Sequence, residues 1–194
     1  INRLELMRQI DGVYNEFGHI GFNLNMSAFL CLRKTLLAWT SSVQDLKEDP
    51  DAYLQHHLYM GAFPTAPFPG NDHTIEPDPW AESFYLDYGP LFRLLKDKKW
   101  VLTPHVIRVK DQTAKANLFK TDAGYVIPVI HGAEPFAQIH LQNIDLGNMI
   151  SCYVIYPGGR STPAFADRDG SQGWKIRIPL KRRCAMVVIG TRKI

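Results

Sequence analysis

The second half of this chain changes its sequence period, and that change limits the fold more than any other feature. Short runs rich in Val, Ile and aromatic residues follow one another at 100–109, 114–120, 125–131, 137–142, 151–156, 175–180 and 185–189, with Gly, Asp, Asn or Pro between them. Several alternate apolar with polar side chains, as in Lys175-Ile176-Arg177-Ile178, which is the pattern of a strand with one buried face. A parallel sheet needs crossover helices between its strands, and these spacings leave no room for them. Residues 99–194 therefore read as an all-β antiparallel sandwich of about seven strands. The Gly158-Gly159-Arg160-Ser161 segment is then a hairpin loop rather than a phosphate cradle.

The first half carries a different signal. Leu4, Met7, Ile10, Tyr14 and Phe17 recur at three- and four-residue spacing, and Phe29, Leu30, Leu32, Leu36, Leu37 and Trp39 form a second, more wholly apolar stretch that reads as buried. Asp49-Pro50 opens a third helix through Leu58, with Pro just inside the start. A fourth spans 82–98, with an interruption expected at Gly89-Pro90. The predicted architecture is α+β in two parts: a mostly helical segment over 1–98 and the sandwich over 99–194. Between the third and fourth helices, residues 61–81 hold five prolines together with Phe63, Phe68, Asn71, Asp72, His73, Glu76, Asp78 and Trp80. A loop of that length inside a compact domain usually serves a function, and a flexible linker would be poorer in aromatics.

A chain of 194 residues that is 45% hydrophobic and 21% charged can bury a full core, which excludes disordered and low-complexity classes. No apolar run is long enough to cross a bilayer as a helix. Ile1 stands where Met is usual, so the sequence reads as a processed form or a piece of something longer. Cys31, Cys152 and Cys184 form no CxxC pair and read as buried small side chains; they leave the compartment open. Residues 1–98 hold 13 acids and 8 bases, a balance of −5, whereas 99–194 hold 6 acids and 14 bases, a balance of +8. Lys181, Arg182 and Arg183 cluster, but the other bases alternate with apolar residues as on a solvated sheet face, so no nucleic-acid partner is expected. Attraction between an acidic and a basic half is the simpler meaning of the split.

Two clusters carry candidate chemistry. In the first, Asp11, Glu16 and His19 supply acid, base and hydrogen-bonding groups beside the apolar walls of Tyr14 and Phe17. A helix with exposed polar residues and a capping Gly explains the same residues. The second is the loop Asn71-Asp72-His73 with Glu76, Asp78 and Glu82. Cleaving a glycosidic bond takes two carboxyl groups, one protonated to release the leaving oxygen and one ionised to attack or stabilise the anomeric carbon. A solvent-exposed Asn-Asp turn after Pro69-Gly70 is the plainer reading. Adjacent His56 and His57 point about 100° apart on a helix and do not form a HExxH pair, and no metal or other cofactor is expected. GxSxG, GxxxxGK[ST] and GxGxxG signals are absent.

A helical segment, the Gly61-Ala62-Phe63-Pro64-Thr65-Ala66-Pro67 loop, an aromatic-rich stretch at 85–95, and Trp100-Val101-Leu102 leading into an all-β tail resemble, in that order, the C-terminal end of bacterial glycoside-hydrolase-like proteins. The resemblance covers essentially the whole chain. It implies that residues 1–98 are the last turns of a (β/α)8 barrel and that the sandwich packs on the barrel's side. The apolar segments 36–39 and 58–63 would then be barrel strands, and the loops after them, 40–42 and 64–73, would contact substrate. A whole barrel takes about 250 residues, so an upstream domain of the same polypeptide would supply the remainder. No catalytic residue is carried over, because the family's defining motif is not visible here.

The function expected from these readings is a carbohydrate-active hydrolase, or the C-terminal portion of one, acting on glycosidic bonds. Asp72 and Glu16 are the candidate catalytic carboxylates, and Asn71, His73, His19, Phe63 and Trp80 the candidate substrate contacts. The alternative is a non-catalytic carbohydrate-binding or accessory sandwich. Exposure of Tyr125, Tyr153, Tyr156 and Trp174 distinguishes them: burial of these rings points to structural support.

Overall fold

The structure is a computed structural model, and it describes residues 9–15, 31, 34–38, 43–65, 79–122, 124–144, 146, 149–170 and 173–191. The N-terminal side is not mostly helical, contrary to the expectation from sequence. Three strands, β1 (Gly12–Asn15), β2 (Thr35–Ala38) and β3 (Ala62–Pro64), form a parallel sheet in the order β1-β2-β3. Val13 pairs with Leu36 and Leu36 with Ala62, and all three are buried together with Cys31, Ala38 and Met60. Four-residue apolar runs fit a buried strand and a turn of helix alike, and here parallel pairing with neighbours decided for the strand. The expected strands at 36–39 and 58–63 are realised as β2 and β3, although residues 58–60 end a helix.

Two helices, α1 (Val43–Glu48) and α2 (Pro50–Met60), make the crossover that parallel β2 and β3 require. The signals for α2 act as read. Asp49 caps the start, its Oδ1 accepting from the Ala52 N–H at 2.9 Å, and Pro50 sits where a backbone donor is not needed. Gly61 closes the helix in the left-handed conformation with φ 64°, and a Cβ there would collide with the Lys98 side chain. The last helix, α3 (Pro79–Arg93), runs through Gly89-Pro90 without the expected break and begins three residues earlier than read. Pro90 removes the hydrogen bond to the Leu86 carbonyl, but Leu86 is 69% exposed, so water can satisfy that carbonyl.

The C-terminal part consists of antiparallel sheets, as expected. Its strands are β4 (Lys99–Trp100), β5 (Ile107–Val109), β6 (Lys115–Ala116), β7 (Phe119–Thr121), β8 (Gly124–Ile130), β9 (Phe136–Gln142), β10 (Met149–Ile155), β11 (Ser161–Pro163), β12 (Ala166–Arg168), β13 (Gly173–Pro179) and β14 (Ala185–Thr191). One sheet has the order β11-β10-β14-β8-β7-β4, with β6 also beside β8; the other has the order β12-β13-β9-β5. Two single-run expectations each divide into two strands, 100–109 into the end of β4 and β5, and 114–120 into β6 and β7. Two short strands, β11 and β12, fall in the stretch read as a loop; their side chains are largely exposed, so no apolar alternation marks them. The Gly158-Gly159 loop is the hairpin turn between β10 and β11, with φ of 86° and 74° at the two glycines.

The larger sheet is covered on both faces. Ile127, Val129, Val154, Val187 and Ile189 point to a core shared with Ala137, Ile139, Leu141, Trp174, Ile176 and Ile178 of the smaller sheet. On its other face, Phe119, Val126, Ile130, Cys184 and Met186 pack with Leu54, Leu58, Tyr88, Leu91 and Leu95 of the helical side. Double coverage is why β8 and β14 read as nearly unbroken apolar runs while β9 and β13 alternate.

Candidate functional site

A parallel sheet presents its ligand-facing loops at the carboxyl ends of its strands. Here those ends are Asn15, Ala38 and Pro64, which share a register: Asn15 pairs with Ala38 and Ala38 with Pro64. Thr65 continues the ladder, its N–H donating to the Ala38 carbonyl at 2.9 Å. The Tyr85 hydroxyl of α3 donates to the Thr65 carbonyl at 2.7 Å, so the chain leaves β3 tied to the helix behind it. In chain order Glu16 and His19 follow β1, and Asn71, Asp72 and His73 follow β3. These five candidates lie outside the described residues.

The two remaining candidates are described and pack into the body of the molecule. Phe63, at the centre of β3, lies 6.0 Å from the Phe92 ring of α3, with the Lys98 ammonium 6.0 Å from its own ring. Trp80 sits in the first turn of α3 with the Lys47 ammonium 5.2 Å over its ring. Both rings border the same buried cluster. One face of Trp80 is thus occupied by a cation.

The sequence reading of 29–39 as wholly buried is corrected at Leu37. Strand alternation turns Tyr14 and Leu37 to the face opposite Val13 and Leu36, leaving them 51% and 43% exposed, and the register continues that row to Phe63. The row is exposed at Tyr14 and Leu37 and half-buried at Phe63. The signal was present as period-two alternation, hidden inside a run of apolar residues too short to show it.

Lys98 is a further residue that sequence reading passed over. Its side chain is buried at the foot of the parallel sheet, with Nζ 3.5 Å from the Lys34 carbonyl. Burial pushes its pKa below the usual lysine range, and among the described residues no carboxylate accompanies it. Burial likewise lowers His56 and His131 and raises the Cys152 thiol to about 11, which leaves that cysteine a poor nucleophile.

The basic cluster at 181–183 is engaged within the molecule. Arg182 pairs with Asp51 and Asp87, Arg183 with Asp49 at 2.8 Å, and the Lys181 ammonium lies 4.5 Å over the Tyr156 ring. The arginines of the basic half thus meet aspartates of the acidic half. Of the rings that distinguish a glycan-binding sandwich from a supporting one, Tyr156 and Trp174 are buried, and Tyr125 and Tyr153 are half-buried.

No protein-family model matches the chain, and no curated protein matches it. Among solved structures it is similar to a GH30 endoxylanase from Clostridium papyrosolvens C71, with a TM-score of 0.55 and 11% sequence identity over 98% of this chain and 51% of that one. The shared feature is the fold. This chain spans about half the length of that enzyme, and the match includes both the parallel β1–β3 segment and the antiparallel sheets.

Proposed function

We propose that this chain is the C-terminal portion of a carbohydrate-active hydrolase, in which β1–β3 close a (β/α)8 barrel and the antiparallel sheets buttress it. The observation that carries the reading is the Tyr14-Leu37-Phe63 row, exposed at Tyr14 and Leu37, on a parallel sheet whose fold, together with the sheets that follow, is similar to part of a GH30 endoxylanase. On this reading residues 1–98 belong to the barrel and 99–194 to the sandwich, and strands upstream in the same polypeptide cover the exposed row. Substrate would bind at the carboxyl ends of the strands, with Glu16 after β1 and Asp72 after β3 as the carboxylates nearest the sugar. Asn71, His73 and His19 would bond its hydroxyls, and Phe63 and Trp80 would support the loops from behind.

The accessory-module reading remains the alternative to catalysis, and burial of Tyr156 and Trp174 favours its supporting form. Hydrolysis of xylan by the complete polypeptide tests the two. Glu16→Gln and Asp72→Asn are each expected to lower turnover by about 10²- to 10⁴-fold, the usual worth of a positioned acid or base, with the thermal midpoint unchanged. Parental rates in both variants would remove these residues from the site. A complete polypeptide that hydrolyses no glycan would leave the sandwich as an accessory module.

A further inference from the structure

The outer face of the smaller antiparallel sheet carries a second arrangement suited to a ligand. Along β9 and β13 the inward side chains are apolar and buried, while Phe136, Gln138 and His140 of β9 and Arg177 and Lys175 of β13 point outward. At one end of this face lies an open cleft of about 480 Å³ lined by Phe136, Gln138, Arg177, Lys110 and Glu134. Phe136 is 47% exposed. The Arg177 guanidinium lies 4.7 Å from the Phe136 ring centroid, which gives that long side chain a fixed seat beside the cleft.

The amide of Gln138 is oriented from behind. Asp169 Oδ2 lies 2.8 Å from His140 Nδ1, so a neutral His140 places its proton there and presents Nε2 as an acceptor. Gln138 Nε2 donates to that atom at 2.8 Å. Its amide group is thereby set with the nitrogen toward His140, and its Oε1 is free to accept from the cleft. The Asp169 carboxyl is held below the usual carboxylate range by this bond from His140 and by Lys175.

We propose that this cleft binds a neutral oligosaccharide, apart from any catalytic centre at the parallel sheet. Sugars offer C–H faces for an aromatic ring and hydroxyls that both donate and accept. The cleft matches each: the Phe136 ring for the C–H face, Gln138 Oε1 and Glu134 as acceptors, Arg177 and Lys110 as donors. Its two cations are matched by the carboxylates of Glu134 and Asp111, which also lines it, so it has no net attraction for an anionic ligand. The inference does not rest on the hydrolase reading, since a site on the sandwich serves an enzyme and an accessory module equally.

Affinity electrophoresis of the complete polypeptide tests it, with gels containing neutral soluble arabinoxylan or hydroxyethylcellulose and a parallel gel containing polygalacturonate. Retardation is expected in at least one neutral gel, weakened at least tenfold in apparent affinity by Phe136→Ala and by Gln138→Leu, two exposed or half-exposed positions where folding is preserved. Turnover of a short soluble substrate should be the same in both variants as in the parent. Absence of retardation in both neutral gels, undiminished retardation in both variants, or retardation by polygalacturonate alone would each overturn the proposal. A polypeptide that is retarded through Phe136 but hydrolyses nothing would uphold the cleft while ending the hydrolase reading.

Discussion

Lys98 shows how a single residue is set by its surroundings. Its stem fills space against Gly61, whose missing Cβ makes room for it, and its ammonium ends near the Lys34 carbonyl with no counterion described beside it. A buried lysine with a lowered pKa binds its proton less tightly in the folded than in the unfolded chain. Between those two values the unfolded state holds more protons, so stability should rise with pH up to the ordinary lysine value. Lys98→Met keeps the stem and removes the charge. The variant is expected to be more stable than the parent at pH 7, with the difference shrinking as the pH approaches 10; urea unfolding at several pH values measures both. A difference that does not change with pH would mean that the charge is not what burial penalises. At this scale the sequence showed little, because Lys98 lies within a polar run, Lys96-Asp97-Lys98-Lys99, and nothing local marks which of its lysines turns inward.

Among the elements, α2 was legible and β1 was not, for opposite reasons. Asp49, Pro50 and Gly61 are local signals that act through the backbone of the residues beside them. Strand β1 owes its state to pairing with β2, whose register partner for Val13 lies 23 positions on. Helix α3 lies between these cases: Gly89-Pro90 signals a break, and the helix continues because the bond that Pro90 removes falls on its exposed side. Gly89 sits in the interior of that helix with nothing within 4 Å of where a Cβ would be. Gly89→Ala is therefore expected to raise stability by about 0.5–1 kcal/mol through the smaller entropy of the unfolded chain, read as a higher denaturant midpoint with an unchanged slope. A loss of stability would show that α3 needs glycine's freedom at that point.

For the whole molecule, the joint between helices and sheets depends on one polar side chain. Gln55 of α2 is fully buried; its Nε2 donates to the Arg182 carbonyl at 2.7 Å and to the Tyr88 hydroxyl at 3.0 Å, and its Oε1 accepts from the His131 N–H at 3.1 Å. It thus joins α2, α3, the end of β8 and the β13–β14 turn. Arg182 and Arg183 in that turn hold φ of 52° and 61°, an uncommon conformation for side chains of their size, and their ion pairs with Asp49, Asp51 and Asp87 reach back to the helices. Gln55→Leu conserves volume but leaves the Arg182 carbonyl and the His131 N–H without their partner. It is expected to cost about 2–4 kcal/mol, measured by chemical denaturation; a cost below 1 kcal/mol would mean that water replaces the amide. The sequence by itself determined the antiparallel sheets, the Asp49-Pro50 start of α2, the Gly158-Gly159 hairpin and the acidic and basic halves, because alternation, capping and charge are written into neighbouring residues. Only the tertiary structure decided that β1–β3 form a parallel sheet, that Leu37 faces outward, that Trp80 packs under Lys47, and that Phe136, Gln138 and Arg177 line one cleft. Each of those depends on contacts between residues far apart in the chain, and a short apolar run satisfies helix and strand alike until its partners arrive.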